Sequence, residues 1–233
     1  MKRKGPLRWR RWLLVAGLTV VVLGLLLVIF TWPDVATLKV ENPKTTAFIT
    51  AATERGIEVE WRWASYDQIS DHLKKAVLVA EDYSFFSHTG FDTHEIKAAA
   101  REAVKGKRVR GASTISQQLA KNLWLSPSLS PTRKLREIVL TRQLERNLSK
   151  HRILGLYLNV VEFGPGVFGA EAAARRYFGV SAADLDVVQA AQLAASLPRP
   201  SSWHPGVSSR GYEKRVDRIL ILLEGADWLD KHL

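Results

Sequence analysis

The most informative segment of this chain is residues 76–92, AVLVAEDYSFFSHTGFD. An apolar run ends there in two adjacent acids, Glu81 and Asp82, and aromatic, hydroxyl and imidazole side chains follow. A carboxylate at the end of an apolar helix lies in partly apolar surroundings, where the loss of water raises its pKa and makes it a better proton acceptor near neutral pH. The segment therefore predicts that Glu81 is a general base.

A second polar segment, GASTISQQLAKN, occupies residues 111–122. Its hydroxyl and amide side chains fall near the expected start of a helix, where free backbone N–H groups favour an anion. Lys121 lies further along the same predicted helix and adds a positive charge. The arrangement predicts an anion site, although Ser113 or Thr114 could instead cap the helix while the bases face solvent.

Three charged residues open the next predicted helix. Arg133 and Lys134 precede Glu137 by four and three positions, which places all three on one helix face. In isolation such a set is usually a surface salt bridge. Together with Lys121, the two bases could bind a diphosphate. Two carboxylates, Glu81 and Glu137, suit a reaction at a sugar carbon, in which one removes a proton and the other assists the leaving group.

An uncharged, almost wholly aliphatic run of 18 residues occupies positions 13–30, with a tryptophan near each end. Its length and the flanking indole rings predict a membrane-spanning helix over residues 13–32. Six bases and no acids precede it in residues 1–12. The positive-inside rule therefore predicts a cytoplasmic basic tip and an extracytoplasmic domain over residues 33–233.

A cleaved signal peptide is the alternative explanation of this N-terminal segment. The apolar run is longer than the usual signal core of about 7–15 residues, and residues 31–34, TWPD, form a poor small-residue cleavage site. Both observations favour the membrane helix.

Composition narrows the class of protein further. The chain has 233 residues, of which 46% are hydrophobic, enough for one sizeable core or two small ones. It has no cysteine, which excludes disulfides, thiolate metal sites and a cysteine nucleophile. The net charge of +11 suits an anionic substrate or membrane surface, while the external location argues against nucleic acid. His88 and His94 do not share a helix face, so no histidine metal site is expected.

Several enzyme classes lack their motifs here. We find no Ser-x-x-Lys motif, so peptide cross-linking is not expected, and neither His-Glu-x-x-His nor a phosphate-binding glycine loop occurs. A zinc protease and a nucleotide enzyme are therefore set aside.

The remaining pattern predicts one mainly α domain after the anchor. Alternation over residues 57–63 indicates a short strand, Gly164-Pro165-Gly166 a turn, and residues 105–111 a basic loop. Helical spacing predicts helices over residues 66–82, 93–104 and 114–125, from Pro131 to a break near Ser149, and over residues 151–159, 171–178, 187–197 and 212–223.

Five motifs occur in order along the chain. They are Glu81-Asp82 with Phe85, His88 and Gly90; Gly111-x-Ser113-Thr114-x-x-Gln117-Gln118-x-x-Lys121-Asn122; Arg133-Lys134-x-x-Glu137; Lys150-x-x-Ile153-Leu154-x-x-Tyr157-Leu158-Asn159; and Gly166-x-x-Gly169-x-x-x-Ala173-Ala174-x-x-Tyr177-Phe178-Gly179. With them the chain closely resembles the monofunctional biosynthetic peptidoglycan transglycosylases. This family polymerises lipid II into glycan strands and also occurs as the transferase domain of bifunctional penicillin-binding proteins.

The resemblance implies a specific reaction. Glu81 would take the proton from the 4-hydroxyl of the acceptor lipid II sugar, which attacks the anomeric carbon of the growing chain. The donor would be linked through an α-diphosphate to a polyprenyl lipid, and inversion would give a β-1,4 bond. Glu137, with Arg133 and Lys134, would hold or neutralise the leaving diphosphate, directly or through a divalent cation such as Mg or Mn. No cofactor is implied to be obligatory.

The resemblance also assigns roles to other motif residues. Those implied to line the donor and diphosphate region are Ser113, Thr114, Gln117, Gln118, Lys121 and Asn122. Those implied to orient or support the site, with a purely structural role at least as plausible for each, are Asp82, Phe85, His88, Tyr157 and Asn159.

The implied architecture is mainly α. It has a lysozyme-like helical lobe and a smaller membrane-proximal lobe, preceded by one N-terminal transmembrane helix, and residues 97–110 would border the substrate groove. The implied location is the bacterial inner membrane, single-pass, with the catalytic domain on the periplasmic side. The expected partners are lipid II, the growing glycan chain, the membrane, and cell-wall synthesis or division proteins.

Two positions depart from the family pattern. Gly155 stands where the family usually has an acid, and glycine within a helix costs about 1 kcal/mol relative to alanine. Gln189 replaces a common glutamate, a milder change. If the acid missing at position 155 pairs with a base elsewhere in the family, this chain is expected to be less stable or less active.

Two other functions remain open from the sequence. A membrane-anchored lysozyme-like hydrolase would also use a glutamate in a helical cleft, but the amides and bases suit a diphosphate better than an uncharged glycan. An inactive scaffold that binds lipid II would tolerate loss of Glu81.

Overall fold

The computed structural model describes residues 7–30, 32–104, 113–127 and 130–233. The chain divides into two compact units, Met1–Asp34 and Val35–Leu233. The first unit contains α1, Leu7–Phe30. None of the helices in the described ranges meets the length and hydropathy expected of a membrane span. The whole predicted loop at residues 105–111, and with it part of the stretch 97–110, lie outside the described residues.

The second unit is mainly helical, which confirms that part of the predicted fold class. Short 3-10 helices at Ala36–Lys39, Tyr66–Gln68, Phe85–Ser87, Ala182–Asp184 and Asp227–His232 join its main elements. The α-helices are α2 (Ala47–Glu54), α3 (Asp71–Glu81), α4 (Thr93–Val104), α5 (Ile115–Trp124), α6 (Pro131–Asn147), α7 (Lys150–Val160), α8 (Ala170–Phe178), α9 (Val187–Ser196) and α10 (Arg210–Glu224).

The predicted helix over residues 66–82 is wrong in its first turns. A 3-10 helix, Tyr66–Gln68, comes first, and α3 begins only at Asp71. Ser70 causes the break, because its hydroxyl oxygen accepts the N–H of His72 and caps α3. That hydroxyl also donates to the carbonyl of Leu185 at 2.8 Å, which fixes the start of α3 against a distant part of the chain.

A small sheet of three strands lies beside the helices. β1 (Glu60–Trp61) confirms the predicted short strand and pairs in parallel with β3 (Val167–Phe168), while β2 (Glu162–Gly164) pairs with β3 in antiparallel fashion. The predicted Gly-Pro-Gly turn connects β2 and β3. Gly166 has φ +73°, and a Cβ there would lie 2.2 Å from the carbonyl oxygen of Glu58, so the turn requires glycine.

The helices enclose the core around α5, α7 and α9. α3 packs on α9, α9 on α10, and α5 on both α6 and α7. After its basic first turn α7 is buried on all sides, and Ile153, Leu154, Leu156 and Leu158 are fully buried, as expected for a helix surrounded by others. α7 thus presents side chains to two different parts of the unit at once.

Arg152 ties the first residues of the second unit to α7. Its Nε donates to the carbonyl of Leu38 at 2.7 Å. Its Nη2 donates to the carbonyl of Glu41 at 2.7 Å and to Oδ1 of Asn42 at 2.9 Å. One guanidinium on a central helix thus holds three polar groups of the segment that follows residue 34.

Candidate active site

Glu81 is the last residue of α3, at the end of the apolar run that predicted it. Its side chain is only 13% exposed. Gln118 donates from Nε2 to one carboxylate oxygen at 2.9 Å, and Arg215 donates from Nη2 to the other at 2.7 Å. The carboxylate is thus held by one neutral and one charged donor, from α5 and α10.

Burial is the main influence on the acidity of Glu81. It raises the pKa of the carboxyl above its ordinary value, because the charged form loses water. The hydrogen bond from Gln118 and the positive charges of Arg215 and Lys121 act in the opposite direction. The net shift is upward, so Glu81 is a stronger base than an exposed glutamate.

Tyr157 fixes the orientation of the Gln118 amide. The phenol of Tyr157, fully buried on α7, donates to Oε1 of Gln118 at 2.8 Å. Since a phenol O–H donates to the amide oxygen, the amide nitrogen must face Glu81. Tyr157 therefore acts on Glu81 through Gln118 and does not touch it.

The start of α5 is held by an internal network around Thr114. Thr114 and Gln117 form a capping box, in which each side chain accepts a backbone N–H of the other residue. The Thr114 hydroxyl also lies 2.7 Å from the carbonyl of Gly90, to which it donates. Thr114 is 3% exposed, so its hydroxyl is engaged in fixing α5 and the loop before α4.

Asp82 and His88 support the same helix start. Asp82 accepts the N–H of Ile115 at 2.9 Å and contacts Nε2 of His88 at 2.9 Å. His88 Nδ1 accepts the N–H of Gly90 at 3.0 Å, so Nε2 carries the proton that is donated to Asp82. These contacts place both residues in support of α5.

A cationic cavity of about 370 Å³ lies next to Glu81. Burial lowers the pKa of Lys121 within it, and the carboxylate of Glu137 acts in the opposite direction. The residues lining it are Phe48, Ser113, Gln117, Gln118, Lys121, Pro127, Arg133, Lys134 and Glu137. The cavity thus brings most of the predicted diphosphate residues together.

Glu137 is buried and joins two of the bases in this cavity. Arg133 donates from Nη1 to one of its carboxylate oxygens at 3.0 Å, and Lys134 forms a hydrogen-bonded ion pair with the other. The side chain of Glu137 is 4% exposed, so it is not the surface salt bridge that the local sequence alone would suggest. The Nε of Arg133 is buried and has no hydrogen-bond partner within the described residues.

Ser113 joins the cationic cavity to two cavities at Glu81. One of these, about 250 Å³, is lined by Glu81, Ser113, Gln118 and Arg215 among others. The second, about 300 Å³, is lined by Glu81, Ser113 and Arg218 together with further acids. Since the exposed Ser113 borders all three, they adjoin each other around one residue.

Other predicted residues lie behind this site. Asn122 is buried on α5, and Phe85 is fully buried with Nζ of Lys150 4.4 Å from its ring centre. Asn159 binds the backbone of Ala64 with both its amide oxygen, at 2.9 Å, and its amide nitrogen, at 3.0 Å. None of these three lines the cavities at Glu81 or the cationic cavity in the described structure.

Arg215 is a site residue that sequence reasoning missed. It lies on α10 among several other bases, 134 positions from Glu81, and no local pattern distinguishes it. Its side chain is 26% exposed. Only the packing of α10 against α3 and α9 brings it to the carboxylate.

The two departures from the family pattern have local explanations. A Cβ at Gly155 would lie 3.3 Å from Cδ2 of Tyr66, so the glycine allows a close approach of that ring to α7. Gln189 forms a capping box with Asp186 at the start of α9. Because a glutamine closes a capping box as a glutamate does, Gln189 keeps the helix start intact.

Within the described residues, no group of three or more His, Cys, Asp or Glu side chains is arranged to hold a metal ion. The described lining of the cationic cavity supplies one carboxylate and three bases. This set of donors suits an anion better than a resident divalent cation.

The chain matches the transglycosylase family over residues 49–224. It is 47% identical over 216 residues to a biosynthetic peptidoglycan transglycosylase of Azoarcus sp., covering 90% of this chain and 93% of that relative. A protein of the same name from Alcanivorax borkumensis is 52% identical over 171 residues, 73% of this chain and 69% of the relative. One from Paraburkholderia phytofirmans is 42% identical over 233 residues, 97% of this chain and 95% of the relative. The chain therefore belongs to the transglycosylase family of glycosyltransferase enzymes.

Proposed function

We propose that this protein is a peptidoglycan glycosyltransferase that polymerises lipid II into β-1,4-linked glycan. The observation that carries the proposal is the pairing of a buried carboxylate, Glu81, with an adjacent cationic cavity across Ser113 and Gln118. A base beside an anion site fits a sugar donor whose leaving group is a diphosphate. The match to relatives named as peptidoglycan transglycosylases, which covers most of their length, supports this choice.

Glu81 acts as the general base in this proposal. Its carboxylate accepts the proton of the acceptor 4-hydroxyl as that oxygen forms a bond to the anomeric carbon of the donor. The bond from the same carbon to the diphosphate oxygen breaks, with inversion from α to β. Burial makes Glu81 basic enough for this step, and the donors Gln118 and Arg215 hold it in place.

The departing diphosphate binds in the cationic cavity. Lys121, Arg133 and Lys134 supply positive charge, and buried Glu137 holds the latter two in position through its ion pairs. The unpartnered Nε of Arg133 is a donor that a phosphate oxygen would satisfy. A divalent cation, if used, would enter with the diphosphate, since the described lining offers Glu137 as its one carboxylate.

We also propose that the enzyme is anchored in the inner membrane with its second unit on the periplasmic side. The uncharged run at residues 13–30 and the six preceding bases support this placement. Lipid II is itself a membrane lipid, so an anchored enzyme would meet its substrate at the bilayer. Cell-wall synthesis or division proteins would be its neighbours there.

The decisive experiment is a lipid II polymerisation assay on the full chain, with and without Mg²⁺. We expect polymer from the wild type, nearly none from Glu81→Gln, and strongly reduced polymer from Glu137→Gln. Glu224→Gln, at an exposed position at the end of α10, is the matched control and should behave as wild type.

Three outcomes would contradict the proposal. Cleavage of finished glycan without polymerisation would identify a hydrolase. Unchanged turnover in Glu81→Gln would show that Glu81 is not the general base. Absence of turnover in the wild type, with retained lipid II binding, would indicate a scaffold.

A further inference from the structure

A fourth cavity, of about 440 Å³, lies on another side of α7, and we call it the Trp63 cavity. Gly155 and Asn159 line it, whereas Tyr157 reaches Gln118 in the site described above. Residues two apart on an α-helix project about 200° from each other, so Gly155 and Tyr157 face nearly opposite directions. The Trp63 cavity is therefore separated from the Glu81 site by the body of α7.

The walls of the Trp63 cavity combine rings with uncharged polar groups. Trp63, Tyr66 and His151 supply the rings, and Asn42 and Ser65 supply amide and hydroxyl groups. The Tyr66 and His151 rings pack edge to face at 5.6 Å between centres, which stiffens this wall. Rings with a few polar groups are typical of pockets that bind a ligand with both apolar and polar faces.

The charges in the lining favour a neutral ligand over an ion. The described lining contains no carboxylate, so the cavity does not suit a cation. Arg152 is its guanidinium, and both Nε and Nη2 are already committed to the segment that includes Leu38, Glu41 and Asn42. Three of the five N–H donors of Arg152 are thus already engaged, which weakens its attraction for a strongly charged anion and favours a neutral ligand.

One feature keeps the cavity open, and a second leaves a hydroxyl group in its wall available for a hydrogen bond. Gly155 has no side chain, and a Cβ there would already press on the Tyr66 ring at 3.3 Å. The Tyr66 hydroxyl is buried and has no hydrogen-bond partner within the described residues. At the rim Val40 is 86% exposed, an apolar side chain left in water beside the opening.

The geometry points to a binding site for amino sugars of a β-linked glycan strand in the Trp63 cavity. Sugar rings present apolar C–H faces that stack on aromatic side chains, and their hydroxyl and N-acetyl groups pair with amides and hydroxyls. The volume falls in the range of about 300–1,000 Å³ that is usual for small-molecule sites. The inference rests on the proposed function, because it gives the enzyme a second contact with its own polymer.

The test uses the full-length protein in detergent and the β-1,4-linked tetrasaccharide of N-acetylglucosamine as probe, with binding followed by saturation-transfer NMR and calorimetry. We expect Trp63→Ala to weaken binding at least about tenfold, since it removes an aromatic wall. Trp203→Ala, which removes an equally large and partly buried ring outside the cavity, is the matched control and should bind as wild type. Melting temperatures confirm that each variant is folded.

Glu81→Gln separates this inference from the proposed function. Retained binding in Glu81→Gln, with loss in Trp63→Ala, supports the site whether or not the wild type polymerises lipid II. No binding to the wild type, or equal binding to wild type and Trp63→Ala, would overturn it even in an active polymerase. The length of the glycan made by Trp63→Ala then identifies the source of the bound strand. If the cavity binds the enzyme's own polymer, the variant makes strands of a different length. If it binds pre-existing wall glycan, strand length is unchanged.

Discussion

Glu81 is held by two donors that differ in charge and in origin. Gln118 is neutral and is oriented by Tyr157, whereas Arg215 is a cation from the last long helix. Both lower the pKa of a carboxyl that burial raises. Removal of either donor should therefore raise the pKa of Glu81 and move the acid limb of the activity profile to higher pH.

Removal of Arg215 should shift the acid limb of the activity profile. In Arg215→Met the lost positive charge raises the pKa of Glu81 further, so the base is protonated over a wider acidic range. We expect kcat/KM to fall on the order of tenfold at mildly acidic pH, which corresponds to about 1.4 kcal/mol, and to recover partly at alkaline pH. Lys214→Met, at the exposed neighbouring position, should leave the profile unchanged. A uniform loss at every pH would contradict this role.

Tyr157→Phe tests orientation without removing a charge. The phenylalanine keeps the ring but no longer donates to Oε1 of Gln118, so the amide can turn its oxygen towards Glu81. The pKa of Glu81 should rise because a donor is lost, and the acid limb of kcat/KM should move to higher pH. The measurement is the pH profile beside that of Gln118→Ala. If Tyr157→Phe leaves the limb in place while Gln118→Ala moves it, the orienting role is refuted.

Glu81→Gln should increase stability while it abolishes turnover. A carboxyl whose pKa is raised in the folded state contributes stability only at low pH and loses that contribution as the pH rises through the folded value. At neutral pH the ionised Glu81 therefore costs stability, and glutamine should raise the melting temperature. The gain should vanish below about pH 4, near the ordinary pKa of a glutamate. An equal gain at both pH values would speak against a buried, ionised carboxylate.

Residues of the site differ in how far the sequence predicts them. Glu81 was predicted because its apolar run and its position in that run are local features. The burial of Glu137 was not predicted, because the charges of Arg133, Lys134 and Glu137 on one helix face are equally compatible with a solvated surface. Arg215 could not be found, because its partner lies in another helix and only tertiary packing joins them.

At the scale of elements, the start of α5 depends on Thr114. Thr114→Ala should lower the unfolding free energy by about 1–2 kcal/mol, because it removes the cap and the hydrogen bond to Gly90. Asp186→Ala removes the corresponding cap of α9, a helix that contributes no residue to the described lining of the four cavities, and is the matched control. Both should melt earlier in calorimetry, but only Thr114→Ala should reduce turnover, since α5 carries Gln118. Loss of turnover without loss of stability would instead indicate direct substrate contact by Thr114.

Helices with long periodic patterns were predicted best. The bounds of α4 agree with the prediction, and α6 begins at Pro131 as predicted, because proline marks the first turn of a helix. α2 was missed, since it has only eight residues and its apolar side chains pack against Phe168 far along the chain. The strands β2 and β3 were missed for a similar reason, as each is too short to show alternation.

At the scale of the whole molecule, the second unit carries the buried core and every proposed catalytic residue. A fragment of residues 35–233 should therefore fold cooperatively, with the far-UV circular dichroism of a mainly helical protein. A fragment of residues 46–233 should melt earlier, because it loses buried Val35 and Leu38 and the partners of Arg152. Equal melting temperatures would show that this segment adds no stability. Flotation with vesicles, compared with the full chain, measures the contribution of residues 1–34 to membrane binding.

The predicted class, mainly α, is confirmed, but the spatial arrangement of the site follows from packing. Glu81, Gln118 and Arg215 come from α3, α5 and α10. They lie too far apart in the sequence for a helical repeat to predict that they meet. The lysozyme-like arrangement of two lobes and the membrane helix over residues 13–32 stay predictions. The reaction itself is predicted from the resemblance to a family, because the motifs assign roles to residues that the local sequence pattern cannot distinguish from surface residues.

The contacts of Arg152 define how tension would pass through the second unit. A pull applied at residue 35 stretches the segment up to Asn42, and the three hydrogen bonds of Arg152 resist it together. Part of the force is then delivered to α7, the helix that carries Tyr157, and part to α6, on which the 3-10 helix Ala36–Lys39 packs. Tension at the start of the second unit would therefore act on the same helix whose Tyr157 binds Gln118.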